Sequence, residues 1–451
     1  MESHIFEQKS IPRTYFQMAL PVVFGSVVSI FYNMTDTFFI ARTQNASLVA
    51  GVSLCAPVFT FLMALGNIFG QGGNSLIARS IGKGELLLSR KISSFCFYAA
   101  IAFGLFFGLL MLGFRGPLLL LLGADTETLP YASGYYSILA AGAPLLVLSF
   151  IHMNLLRSEG MATQSMIGSV GGSLLNIVLD PILIFTCNLG AAGAALATVA
   201  GYLFSDCFYL AVVLKKSRSL SVSPKDFFLP ARYVRQVFGI GIAAALTYLM
   251  QSLSLILTNQ YLLPYGTASI AAMGIAQKVN LTIMLVISGF SFGALPMIGY
   301  FYGSENREKL NSLLRFAGSF LCIVTFAFSL IIFCMAPEAI RFFIDEPELW
   351  ERGSLMLRMQ VFSMVFVAII LFITVYFQAT GKTAGAIILA VCRQGALFFL
   401  SLSVLSWFFG YHGILLAQSA SNLLTVALAI FLFFRLRNTD NFGKLPPKDT
   451  L

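Results

Sequence analysis

The chain has 451 residues, and only 28 Lys and Arg plus 19 Asp and Glu are charged, 10 % against the roughly 25 % usual in a soluble globular protein. Hydrophobic residues make up 58 %, Phe alone contributes 44 residues, and mean hydropathy is +0.85, more apolar surface than a soluble fold of this size hides. A soluble dehydrogenase, a nucleic-acid-binding domain and a disordered scaffold are excluded, and an all-α polytopic membrane protein is predicted.

The amino-terminal stretch MESHIFEQKSIPRTYF is polar, with no cleavage site behind a short apolar core, so the first apolar segment is expected to be a retained helix. Spanning a hydrocarbon core of about 30 Å takes roughly 20 apolar residues. Twelve segments qualify, at 14–41, 47–78, 92–114, 131–156, 164–186, 191–214, 236–263, 268–300, 312–335, 350–379, 384–409 and 413–434. The runs are too long for barrel strands and do not alternate. With the amino terminus inside, 21 Lys and Arg fall on inside loops and ends, four outside (Arg42, Arg115, Arg341, Arg352) and three within segments (Lys278, Arg358, Arg393). That asymmetry predicts cytoplasmic termini, and it accounts for the net charge of +9 without a nucleic-acid partner. Outside, the acidic stretch around Asp345, Glu346, Glu348 and Glu351 is consistent. Cys55, Cys96, Cys187, Cys207, Cys322, Cys334 and Cys392 are scattered, with no CxxC spacing, and the three His add no metal-ligand cluster.

The chain repeats itself. Gly82 recurs as Gly303, Gly160 as Gly381, and the pair Gly190 and Gly193 as Gly410 and Gly413, at offsets of 221, 221 and 220. Each repeat holds six helices, so the two are parallel, related by an axis along the membrane normal, an architecture for alternating access. The expected organisation is an amino-terminal lobe 1–214, a basic linker 215–235 with Pro224 and Pro230, a second lobe 236–438 and a cytoplasmic tail 439–451. No Walker loop, HExxH, GxSxG or nucleotide fold appears, which argues against an enzyme and leaves coupling to an ion gradient.

Ionisable groups inside the bilayer each cost about 2.5–3.5 kcal/mol on insertion scales and need a reason. Asp36, in FYNMTDTFFI, lies about five residues before the outer end of segment 1, and Asp180, in NIVLDPILIF, about six before that of segment 5. At 1.5 Å per residue the two sit at similar depth. Asn176 shares the Asp180 face four residues earlier, and Pro181 frees a carbonyl and favours a kink. Two carboxyls in one semi-dry pocket raise each other's proton affinity, an arrangement that can bind a proton from outside and release it inside. Asn154, Asn176 and Thr198 fit such a site or serve as polar glue between helices. Asp206, near Lys215 and Lys216, reads as interfacial, and Arg358 as snorkelling. Lys278 and Arg393 lie deeper, partnered by carbonyls or functional. Gly168, Gly171 and Gly172 read as close helix packing. Gln71, Asn74, Tyr248, Gln251, Gln277, Asn280, Tyr300 and Gln378 are expected to line a substrate cleft between the lobes, among adaptable Met and Phe surface.

These features resemble the multidrug and toxic compound extrusion (MATE) family: twelve segments in two repeats, NLLRSEG at 154–160, NIVLDPILIF at 176–185, GAAGAALAT at 190–198, and QATGK with RQGALF later. Within it the chain looks like the DinF-like branch that contains MepA-like exporters, since no acidic residue falls inside segments 7, 8, 10, 11 or 12, where the NorM-like branch places carboxylates. The resemblance implies a V-shaped cleft between lobes and a cation site at Asp36 and Asp180 with Asn154, Asn176 and Thr198. It further implies a monomeric exporter of amphipathic organic cations in the bacterial inner membrane, needing no cofactor besides H⁺ or Na⁺. A flippase of lipid-linked precursors from the same superfamily is the alternative; such proteins carry extra helices and a strongly cationic cleft.

Overall fold

The computed structural model describes residues 6–7, 10–341 and 347–438; the predicted tail 439–451 and the acidic residues Asp345 and Glu346 lie outside the described residues. Among the described residues the chain is helical, with no strand. Eight continuous helices are each long and apolar enough to cross a bilayer: α1 (Ile11–Ala41), α2 (Ala46–Gly82), α3 (Leu86–Gly113), α5 (Ala162–Thr186), α6 (Gly190–Lys216), α7 (Ala231–Tyr265), α8 (Ser269–Gly303) and α9 (Arg307–Cys334). Two more spans are broken: α4 joins Leu129–Ala141 to Ala143–Ser158 through a 54° bend, and α10 joins Trp350–Val361 to Met364–Thr380 through 42°. The stretch Thr383–Arg437 is 55 residues long and turns at Gly410, whose φ of 53° and ψ of −126° are non-helical. It therefore supplies two spans, α11 (383–409) and α12 (411–437), and the total is the twelve expected from hydropathy.

The repeat is built into the backbone. Helices α2 and α8 end at Gly82 and Gly303. Gly160 and Gly381 both take positive φ, 89° and 79°, after α4 and α10. Gly190 and Gly410 take φ of 52° and 53° between the fifth and sixth helices of each half, a region where a side chain is strained. Three residues on, Gly193 sits against the Leu183 carbonyl and Gly413 against the Leu405 carbonyl, where an added Cβ would stand 2.7 and 1.9 Å away.

The chain divides into two compact units, one of Leu20–Gly241 and the other of Met1–Ala19 with Ile242–Leu451. Both divisions fall inside a helix. In the first unit the start of α7 packs on α2: Gly72 faces Val237, Gly241 faces Ile68, and Phe69 meets Phe238 edge-on with ring centroids 5.2 Å apart. In the second the start of α1 packs on α8: Gly293 faces Ala19, and the Tyr15 hydroxyl donates to the Phe290 carbonyl at 3.1 Å. Gly72 and Gly293 are 221 apart, so each repeat lends the start of its first helix to the other's second helix. The linker is tied to the first unit. Ser93, Ser94 and Tyr98 of α3 donate to the carbonyls of Ser221, Ser223 and Val222, and Glu159 accepts from Ser217 and from the backbone N–H groups of Arg218 and Ser219.

The crossing of α5 and α6 positions the acidic residues. Small residues let two backbones approach where no hydrophobic force drives helices together in lipid. Gly172 and Gly201 face each other so closely that a Cβ on either would lie 2.5–2.6 Å from the other's carbonyl oxygen. Gly168 leaves room for the Tyr209 ring and Gly171 for that of Phe204. Ser205 then donates to the Gly168 carbonyl at 2.9 Å and Tyr209 to that of Ser165 at 3.0 Å, pinning the register. Gly201→Leu is expected to destabilise the protein by roughly 1–3 kcal/mol or more through overpacking. Gly274→Ala, at a helical position with nothing within 4 Å of the added Cβ, should cost nothing. Thermal unfolding of the two purified variants checks the contrast.

Candidate functional site

Register in α5 and α6 carries directly to the site. One turn beyond the Gly172–Gly201 contact, the Asn176 amide reaches the Thr198 hydroxyl at 3.4 Å, and that hydroxyl donates to the Ala194 carbonyl at 3.0 Å. One further turn along α5 comes Asp180, wholly buried, followed by Pro181 and a π-helical turn over Ile182–Thr186. Proline cannot donate to the Ile177 carbonyl, and the looser π turn absorbs the break; such turns cluster at functional sites. Asp36 comes from α1, half-buried, and its carboxyl stands close enough to that of Asp180 for the two to interact directly. No hydrogen bond of normal geometry satisfies Asp36 Oδ1, either oxygen of Asp180, or the Asn176 carbonyl oxygen. Among the described residues, no basic side chain neighbours either carboxyl.

Three tyrosines surround the pair. Tyr32 lies one turn before Asp36 and beside the Thr198 hydroxyl; Tyr135 of α4 neighbours both carboxyls; Tyr202 of α6 neighbours Tyr32 and Tyr135. The i, i+4 spacings Tyr32–Asp36 and Thr198–Tyr202 were a readable signal for two of them. Tyr135 had none, because its place depends on the bend in α4. Carboxyl, amide and hydroxyl oxygens converging without a counter-charge can hold a shared proton or a small monovalent cation.

The structure places the other expected residues as follows. Asn154 is buried on the α2–α4 contact against Gly70, its amide donating to the Phe150 carbonyl at 2.7 Å. Asp206 is a correction: it is not interfacial but 2 % exposed, because its helix face turns toward Ser149 of α4. Gln71 and Asn74 are buried in the first unit, each with an unbonded carbonyl oxygen. Tyr248, Gln251, Gln277, Asn280, Tyr300 and Gln378 belong to the second unit. There Gln251 is exposed, Tyr300 donates to Glu7 at 3.1 Å, Asn280 donates to Gln360 at 3.2 Å, and Gln378 is buried. A cavity of about 330 Å³ in that unit, walled by residues such as Gly318, Phe372, Tyr376 and Arg437, includes none of them. Lys278 lies inside α8 with its side chain exposed, Arg358 reaches the Phe333 carbonyl at 3.2 Å, and Arg393 is buried in a second π turn, Cys392–Ala396.

The MatE family pattern matches residues 21–182 and 243–405, one block in each repeat. The chain belongs to the MatE family. Over 433 residues it is 30 % identical to the multidrug export protein MepA of Staphylococcus haemolyticus (strain JCSC1435), covering 96 % of this chain and 95 % of that one. MepA of Staphylococcus aureus (strain MSSA476) is 29 % identical, with 96 % of each chain covered. Among solved structures, the outward-facing conformation of a multidrug resistance MATE family transporter of the MOP superfamily superposes with a TM-score of 0.90 at 24 % identity, over 99 % of both chains. This MatE-family chain is accordingly a multi-pass membrane transporter of the MepA-like branch and not an enzyme.

Direct contact between the two carboxyls makes their substitutions interdependent. In a double-mutant cycle on thermal stability, Asp36→Asn and Asp180→Asn are expected to be non-additive by about 0.5–3 kcal/mol. Asp36→Asn combined with Asn154→Ala should be additive.

Proposed function

We propose that this MatE-family protein exports amphipathic organic cations across the bacterial cytoplasmic membrane in exchange for H⁺ or Na⁺, acting as a monomer by alternating access with both termini in the cytoplasm. The observation that carries the proposal is the Asp36–Asp180 pair: two carboxyls in contact, one wholly buried, with no basic neighbour and with orphaned oxygens. A permanently occupied structural role would satisfy those oxygens, since an unmade bond to a buried polar group costs about 1–3 kcal/mol. An exchangeable cation supplies what is missing and leaves again. The near full-length likeness to multidrug export proteins named MepA supports the cargo class.

Asp36 rides on α1, whose outer half is lightly packed: Phe31, Met34 and Phe38 are all more than half exposed. Asp180 rides on a helix already broken by Pro181 and its π turn. Binding a cation between the two carboxyls draws α1 onto α5, and release lets them part. If cargo favours the parted arrangement, cation lowers cargo affinity, and cargo must lower cation affinity by the same factor. No other cofactor enters the cycle.

Proteoliposomes loaded with ethidium test this, with a pH gradient or a sodium gradient imposed one at a time. One of the two gradients should drive export. Asp36→Asn and Asp180→Asn should each reduce that export by about 10-fold or more while the protein remains monodisperse. Undiminished gradient-driven export by both variants would refute the coupling role.

A further inference from the structure

Asp206 is a buried acid that the exchange just described does not use. It lies in α6, is 2 % exposed, and both carboxyl oxygens lack a hydrogen-bond partner of normal geometry. Its neighbours across the described residues are all uncharged at neutral pH. From α4 comes the Ser149 hydroxyl; from its own helix come Tyr202, one turn back, and Tyr209. On the α5 side, Tyr209 is committed to the Ser165 carbonyl at 3.0 Å. The nearest basic group on that side is Arg157 of α4, which neighbours Tyr209 and spans 3.1 Å to the Ser165 hydroxyl rather than pairing with Asp206. His152, three residues from Ser149, faces α3 and packs on Phe97 with ring centroids 5.5 Å apart. No cation is therefore in place to hold a carboxylate, and an unpaired charge in such surroundings is costly. Hydroxyls alone suit a carboxyl that carries its proton, since each can donate to it or accept from it.

The position adds a second point. Thr198, Tyr202 and Asp206 are spaced four apart, on one face of α6. The first touches the Asn176 amide beside Asp180; the second neighbours Tyr32 and Tyr135, which ring the acidic pair; the third lies roughly 12 Å along the helix from the first. The direction is toward the basic carboxy-terminal end of α6 at Lys215 and Lys216.

We propose that Asp206 is a second proton-binding carboxyl of the first unit, exchanging its proton with the Asp36–Asp180 pair through the Tyr202 hydroxyl and the Tyr32 or Tyr135 hydroxyl that lies between Tyr202 and the pair. Tyr202 accepts a proton on one side as it gives one up on the other, so no net charge stays on the ring. Asp206 is then the last protein group before the aqueous side that receives the proton. The inference rests on the antiport reading with H⁺ as the coupling ion, but its first readout does not need transport.

In an Asp36→Asn/Asp180→Asn background, Asp206 is the buried acid left in the first unit's helices. Infrared difference spectra of that variant in lipid, recorded between acid and alkaline pH, should show a reversible protonated-carboxyl band. The band should vanish on adding Asp206→Asn. Absence of the band from the difference spectrum overturns the proposal. In the otherwise unmodified chain, Asp206→Asn should cut proton-driven ethidium export about 10-fold. Asp206→Glu should restore it, which a packing defect would not allow, and ethidium binding should be unchanged in both. Full export by Asp206→Asn also overturns the relay. A titrating band in a protein that exports only on a sodium gradient leaves Asp206 a proton site and overturns the relay to the pair.

Discussion

Two glycines, Gly172 and Gly201, set how close α5 comes to α6, and that separation fixes the acidic chamber. Lipid gives no hydrophobic reason for helices to associate, so contact depends on close backbone approach and on the hydrogen bonds it allows. Ser205 and Tyr209 exploit the approach on one side of the crossing, by bonding to α5 carbonyls. Asn176 and Thr198 exploit it on the other. Asp180 is buried because it continues the same row. A wider crossing would break the Asn176–Thr198 contact first and then admit lipid or water beside Asp180.

The two repeats share a frame and differ in chemistry. At the offsets of 221 and 220, Gly172 corresponds to Arg393, Gly201 to Ser421 and Asp180 to Ser401. Ser421 bonds the Arg393 carbonyl at 2.9 Å, so at the matching point the second crossing carries a hydroxyl contact where the first brings two glycines together. Around it runs a neutral network: Asn422 donates to Ser363 at 2.9 Å, Gln418 to Asn422 at 3.2 Å, and Asn280 to Gln360 at 3.2 Å. These amides bond one another in part, with Asn280 Oδ1 and Ser401 Oγ left without a partner, whereas the first unit leaves both oxygens of Asp180 and of Asp206 without one.

Much of this was legible in the residues because the governing forces are local. Hydropathy gave the twelve spans, and the constant offset of paired glycines gave the repeat, since a positive φ or a close backbone approach tolerates little else. The depth of Asp36 and Asp180 followed from helix rise alone. What failed to show were properties of helix azimuth and of bends. Asp206 is eight residues beyond Thr198 on a helix whose face is set by Ser205 and Tyr209, and counting residues to Lys215 could not reveal that. The expected cleft residues needed knowledge of which polar side chains find partners at home, as Tyr300 does with Glu7.

Helix α1 joins these threads. It carries one carboxyl of the pair, yet its first nine residues belong to the second unit and the rest to the first, with Pro21 two residues past the division. A proline inside a helix removes one hydrogen bond and leaves a preferred place to bend. Upstream of it, Tyr15 is anchored on α8 through the Phe290 carbonyl; downstream, a Cβ added at Gly25 would still stand 3.7 Å from the Ser169 hydroxyl of α5. The segment bearing Asp36 is thus tethered firmly at its start and held along its length mainly by what its acidic residue meets. In the proposed exchange, whatever occupies the Asp36–Asp180 pair bears on the path of α1, because Phe31, Met34 and Phe38 around it are more than half exposed. A cation bound there would set the position of a helix, whereas the same two carboxyls on two well-packed helices would only bind.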